Sequence, residues 1–221
     1  ERLEYERQRK AEAETAIKHL TDVHKWDEYY SWLMADYIAA DYWASAGIPD
    51  AFWWNEWKLG YDPHHSFWYD TGEGWKEHIT PTATMPVRDP SKRIINIKHR
   101  LINPLPDGTK YRMEYKTNTE PVFIANLEDK EFDYLIMCEG EKKSAVTFLT
   151  IDSAKMQAVG LPKNPSSEML QAVKTKHIID ILDPDVKQSD IERKRMEYLD
   201  VDYRIIQLPA KIDDMILQSD L

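Results

Sequence analysis

Three acidic points in the second half of this 221-residue chain are spaced as a metal-binding site would space them. Glu139 closes the apolar run LIMC and is followed at once by Gly140. Asp183 and Asp185 close DILDPD around Pro184, and Asp213 and Asp214 stand side by side in LPAKIDD. In an extended chain the Asp-x-Asp spacing points two carboxylates the same way, because side chains alternate. Pro184 stiffens that turn and donates no backbone hydrogen bond. Carboxylates gathered at one edge repel one another unless a cation neutralises them, and hard oxygen ligands select Mg2+ or Mn2+ over zinc. Such clusters serve phosphoryl or nucleotidyl transfer. The plainer reading is a set of helix caps and surface acids, since Asp185 precedes a helical stretch.

The elements that must position these acids follow one pattern. Residues 133–139 read as a strand, 140–151 as a helix, 155–161 as a strand, 165–174 as a helix, 176–185 as a strand, 187–200 as a helix and 203–209 as a strand. Strand and helix alternating at short intervals predict a parallel sheet of about four strands with helices on its faces. Right-handed crossovers put every strand's carboxyl end on one edge. Ligands of open α/β sheets sit at that edge.

Upstream, the pattern is different. Residues 1–34 open with ERLEYERQRKAEAETAIKHL, rich in good helix formers, and predict a helical arm or linker. The helical character continues to residue 46, with Gly47 as a cap and Pro49 beyond it. Residues 51–75 are crowded with aromatics, Gly and Pro, and predict rings filling a small, loop-rich subdomain rather than a base-stacking surface. His64 and His65 read as loop residues beside Pro63, because no Cys or third His lies nearby at metal spacing. Residues 84–125 read as alternating strands joined by turns. Between Met85 and Thr117 eight Lys or Arg face three acids, whereas the whole chain carries a net charge of −10. Alternation places Lys98 and Arg100 on one strand face, suited to phosphates or simply to solvent. One cysteine, Cys138, rules out an internal disulfide framework and fits a reducing cytosol. No apolar run is long enough to span a bilayer. The chain starts with Glu rather than Met and so reads as a piece of a longer protein.

CEGEKKSA followed about forty residues later by DILDPD resembles the TOPRIM domain, shared by DnaG-type primases, topoisomerases and some nucleases. MPVRDPSKRIINIKHRL, KYRMEYKTNTEPVFIAN and LPAKIDDMIL are similar to the segments that flank TOPRIM in bacterial and phage primases. The resemblance covers roughly residues 35–217 and implies a helical arm over 1–34, a basic α+β subdomain over 35–128 and a Rossmann-like TOPRIM subdomain over 129–221. It implies a primase catalytic core that joins ribonucleotides on a single-stranded DNA template, using Mg2+ or Mn2+ and nucleoside triphosphates beside a replicative helicase. It further implies Glu139, Asp183 and Asp185 as catalytic metal ligands, with Asp213 and Asp214 completing the acidic patch. Arg88, Lys98, Arg100, Lys110 and Arg112 would then contact template and nucleotide phosphates, for which Arg forks and Lys point charges are suited. The implied location is a bacterial or phage-infected cytosol. Three positions depart from the family pattern: Lys143 stands where an acid is common, Ser144 where Ala is, and Ala210 where Gly is. A TOPRIM nuclease would use the same acids without needing the basic strands. A non-catalytic nucleic-acid-binding module of a replication complex would use the helical arm and aromatic surface instead.

Overall fold

The computed structural model describes residues 2–115, 122–151 and 154–219, and its α/β class is the expected one. The chain divides into two units, Glu1–Val87 with Ile94–Asn118, and Arg88–Arg93 with Thr119–Leu221. Residues 122–128, grouped at the sequence level with the basic strands, fall in the second unit.

The first unit opens with α1 (Arg2–Asp22), α2 (Lys25–Ala35), α3 (Tyr37–Ser45) and α4 (Ala51–Trp57). Asp36 caps α3 by accepting from the Ile38 and Ala39 amides, and Asp50 caps α4 through Phe52. Gly47 ends α3 at φ 89°, a left-handed conformation that glycine adopts without strain. Four strands follow, β1 (Gly60–Asp70), β2 (Trp75–Arg88), β3 (Ile94–Leu101) and β4 (Tyr111–Met113), lying in chain order. Residues 51–75 are therefore not loop-rich: they form a helix and a long hairpin strand. Pro63 is tolerated there because the β1–β2 register shifts between Asp62 and His65, so its missing N–H interrupts no regular ladder. The aromatic rings divide. Trp43, Trp54 and Trp57 are buried, and the Trp43 and Trp54 indoles donate to the carbonyls of Gly60 and Ile48. Phe52, Trp68 and Trp75 are exposed.

The second unit is built on a five-stranded sheet in the order β5-β7-β6-β8-β9. Its strands are β5 (Phe123–Ile124), β6 (Tyr134–Glu139), β7 (Met156–Leu161), β8 (His177–Leu182) and β9 (Asp202–Gln207). β7, β6, β8 and β9 are mutually parallel, as the alternation predicts, and β5 is an additional antiparallel edge. The helices are α5 (Glu141–Thr150), α6 (Ser167–Ala172), α7 (Gln188–Glu197) and α8 (Ile212–Ser219). Strand parity sorts the side chains. Leu135, Met137, Val159 and Ile178 pack with Leu170 of α6 and with Tyr198 just after α7. Burying each such side chain contributes about 1.5–3 kcal/mol.

The Glu139-Gly140 turn depends on two glycines. Gly140 sits at φ 83°, and its amide donates to the Leu161 carbonyl at 2.8 Å. Opposite it on β7, a Cβ on Gly160 would lie 2.5 Å from the Gly140 carbonyl oxygen and 2.8 Å from its carbon. Both are backbone atoms, so the turn itself would have to shift. Gly160→Ala is expected to cost about 1–3 kcal/mol of stability by overpacking, read as a lower urea midpoint with an unchanged m-value.

Candidate functional site

The acids reach the sheet edge from different sides. In parallel strands, residues in register share a face, and Met137 is in register with Asp180 while Cys138 is in register with Ile181. Glu139 therefore falls in the parity of Met137, on the α6–α7 face. Asp183, two residues after Ile181, continues the other parity, and α5 lies on that side: Cys138 Sγ is 3.6 Å from the α5 hydroxyl of Thr147. Burial pushes the Cys138 thiol up to about 12, which keeps it protonated and inert.

Glu139 is half-buried, and among the described residues its carboxylate makes no hydrogen bond or ion pair with another side chain. The aspartates differ. Asp183 is 6% exposed and paired with the Lys143 ammonium. Asp213, in the first turn of α8, is also 6% exposed and lies 3.0 Å from Lys142 Nζ. Its other oxygen, Oδ1, is buried with no hydrogen-bond partner. Asp185 is exposed and 3.4 Å from Lys163 Nζ, and its own backbone amide and that lysine lower its pKa. Asp214 is exposed. No three of these acids bring oxygens within 4.8 Å of one another among the described residues. A cavity of about 20 Å3, the room of one water-sized species, is lined by Glu139, Lys163, Asp180, Asp183, Asp190 and Lys194.

Asp180 escaped the sequence reading. It is 1% exposed in the middle of β8 and accepts from Lys194 Nζ at 2.8 Å and from the Tyr203 hydroxyl at 2.6 Å. The available signal was an acid at an apolar-parity position in HIIDIL. The lysine partners of the other acids left no signal that could be read from spacing alone.

The basic residues divide as well. Lys98 and Arg100 lie on one face of β3 and both approach the ring of Tyr111, at 4.3 and 4.7 Å from its centroid. Tyr111 is 44% exposed, and Lys110 beside it is exposed. Arg112 is in register with His99, so it points to the opposite face, where it covers the Phe67 ring at 4.7 Å. Arg88 belongs to the second unit, is 8% exposed and donates to the Lys92 carbonyl. Lys116, counted in the basic stretch, lies outside the described residues.

His65 is in strand β1 rather than a loop, and folding brings His99 beside it, so that Asp62, His65 and His99 each offer a ligand atom within 4.8 Å. The geometry favours a hydrogen-bond network over a metal. The two imidazoles are stacked, 3.7 Å between centroids and 16° between planes, and a ring nitrogen binds an ion in the plane of its ring. Both His99 nitrogens are already engaged, Nδ1 with Thr82 Oγ1 at 2.9 Å and Nε2 with Glu114 Oε2 at 2.7 Å. Burial lowers the His99 pKa against the pull of Glu114. The neutral ring protonated at Nε2 satisfies both contacts, donating to Glu114 and accepting from Thr82.

No family model and no curated protein sequence matches the chain. Solved structures do. A DNA primase domain from Pseudomonas aeruginosa aligns at 17% identity and TM-score 0.67, over 91% of this chain and 74% of that one. A DnaG primase catalytic domain bound to single-stranded DNA aligns at 16% identity and TM-score 0.71, over 94% and 78%. The zinc-binding and RNA polymerase domains of the Aquifex aeolicus primase align at 18% identity and TM-score 0.69, over 95% and 58%. The chain therefore has the fold of a DnaG primase catalytic core.

Proposed function

We propose that this chain is the catalytic core of a DNA primase, a nucleotidyltransferase that synthesises short RNA primers on single-stranded DNA. The observation that carries the reading is the placement of Glu139, at a strict Glu-Gly turn, on the same carboxyl edge as Asp183 and Asp185, within the primase-core fold. The donor set fits a hard divalent ion. It consists of carboxylates, and Asp213 Oδ1 is buried with no hydrogen-bond partner although Lys142 pairs with its other oxygen. Glu139, Asp183 and Asp185 would hold Mg2+ or Mn2+, with Asp213 and Asp214 adding negative charge nearby. When bound, the metal neutralises phosphate charge and stabilises the in-line displacement.

The chain's own contribution is positioning. The Gly140–Gly160 contact sets where Glu139 leaves the sheet, and Pro184 stands in the tight turn that the Val186 amide closes on the Asp183 carbonyl, which separates the buried Asp183 from the exposed Asp185. Lys98, Arg100 and Lys110 provide a cationic surface around an exposed ring, suited to phosphates with a stacked base. One structural neighbour is a primase catalytic domain bound to single-stranded DNA, which supports a single-stranded template for this chain. A replicative helicase is the proposed partner, and the cytosol the proposed location. No described helix is long and apolar enough to cross a membrane.

The direct test is a gel with Mg2+ or Mn2+, labelled nucleoside triphosphates and end-labelled single-stranded DNA. New short labelled oligonucleotides that vanish in Asp183→Ala, Asp185→Ala protein establish the primase. Shortening of the input DNA by the wild type alone would assign a nuclease instead. For the basic face, Lys98→Ala with Arg100→Ala is expected to weaken single-stranded DNA binding about tenfold at low salt. It should also flatten the dependence of log K on log salt by about 0.7 per lost contact. An unchanged slope in fluorescence anisotropy would remove these residues from the interface. Arg112→Ala, on the other face, is expected to leave the slope alone.

A further inference from the structure

The acidic edge carries built-in cations. Lys142 and Lys143, consecutive in the first turn of α5, reach two different aspartates, Asp213 and Asp183, and Lys163 reaches Asp185. One of these contacts, Lys143 with Asp183, is not a loose surface pair. The Lys143 side chain is 12% exposed and that of Asp183 8%, whereas Lys142 beside Asp213 is 37% exposed. A pair held this far from solvent is screened little by salt, so the ammonium is a fixed part of the local charge. A divalent ion approaching Asp183 would meet that ammonium at close range and be repelled. Among the described residues no cationic side chain holds Glu139 or the exposed Asp214, and of these two it is Glu139 that lines the cavity, which has room for a single ion-sized species.

We propose that Lys143 is a resident counter-cation of Asp183, taking the place of one divalent ion, so that the edge binds a single divalent ion anchored by Glu139. This rests on the reading of that edge as a metal centre and specifies its stoichiometry. Lys143 acts through Asp183 and is a positioning residue. Its ammonium keeps one Asp183 oxygen engaged and supplies fixed positive charge beside the ion.

The test is Mn2+ titration of the full chain, followed by calorimetry and by the loss of the free-Mn2+ paramagnetic resonance signal. Wild type is expected to bind about one equivalent, lost in Glu139→Gln. Lys143→Met, which keeps the length of the side chain and removes the charge, is expected to bind two, returning to one when Asp183→Asn is added. Mn2+ should also raise the melting temperature of Lys143→Met more than that of wild type, because the ion replaces the missing counter-charge at Asp183. If Lys143→Met does not fold, Lys143→Gln removes the charge while keeping a hydrogen-bond donor for Asp183. Two equivalents in wild type, or the same stoichiometry and the same Mn2+ stabilisation in wild type and variant, would overturn the proposal. The primase reading fails separately. One bound Mn2+ with no primer synthesis removes that reading and leaves the role of Lys143 standing. One equivalent in both proteins with primers made does the reverse.

Discussion

Glu139→Gln is expected to lower primer synthesis by about 10³-fold while moving the melting temperature by no more than about 2 °C. The two halves have one cause. Glu139 ends a strand whose neighbours are buried, yet its carboxylate makes no side-chain bond among the described residues, so the fold does not draw on its charge. Gln preserves the shape and removes the negative charge a metal needs. Asp183→Asn behaves differently, since it leaves the mostly buried Lys143 ammonium without its counter-charge. It should lose activity and also about 1–3 kcal/mol of stability. Comparing the two variants by steady-state primer yield and by thermal melts separates chemistry from folding. Glu139→Gln protein that keeps more than a tenth of wild-type yield would take Glu139 out of the catalytic role.

Glu114→Ala has the largest expected effect on stability, about 3–5 kcal/mol. Glu114 stands where α2 meets β3 and β4, its side chain 9% exposed. It takes the Lys25 ammonium and the Tyr29 hydroxyl from α2 and His99 Nε2 from β3. Truncation leaves a part-buried ammonium and two buried donors without an acceptor at once. Burial alone would raise the Glu114 pKa, but the hydrogen bonds from His99 and Lys25 and the Lys25 charge outweigh it and hold it at about 2. A carboxylate depressed from 4.5 to about 2 contributes stability that is present in full above about pH 4.5 and is lost as pH falls toward 2, about 3 kcal/mol in all. His99, whose pKa burial lowers, adds to the loss in the same direction, beginning as pH drops below 6.5, where the unfolded chain takes up the proton first. Urea titrations across pH 7 to 3 should therefore show wild type losing stability steeply below pH 4.5. The Glu114→Ala protein, already destabilised, should show a shallower slope there. Equal slopes would mean that other carboxylates carry the acid sensitivity.

Much of the second unit was legible in the chain. The alternation of short apolar runs with amphipathic stretches between residues 133 and 209 placed four parallel strands and three helices close to where they occur, because periodicity is a local property of adjacent residues. The Glu-Gly and Asp-x-Asp ends were visible for the same reason. In the first unit the pattern misled. Gly, Pro and crowded rings in residues 51–75 read as loop, since a bulge that excuses Pro63 exists only once β2 lies beside β1.

What the tertiary structure alone decided is which charge meets which. Lys143 and Asp183 are forty residues apart, and Lys25 and Glu114 eighty-nine. Composition counted Arg112 with Lys98 and Arg100, and strand pairing set it on the other face. His99 looked unrelated to His65 until two strand registers stacked their rings. The two-residue strand β5 showed no partner until β7 offered it a ladder. The chain's own pattern specifies the period and direction of each element, which neighbouring side chains dictate. Pairing between distant side chains follows from register and packing, which the whole fold must settle together.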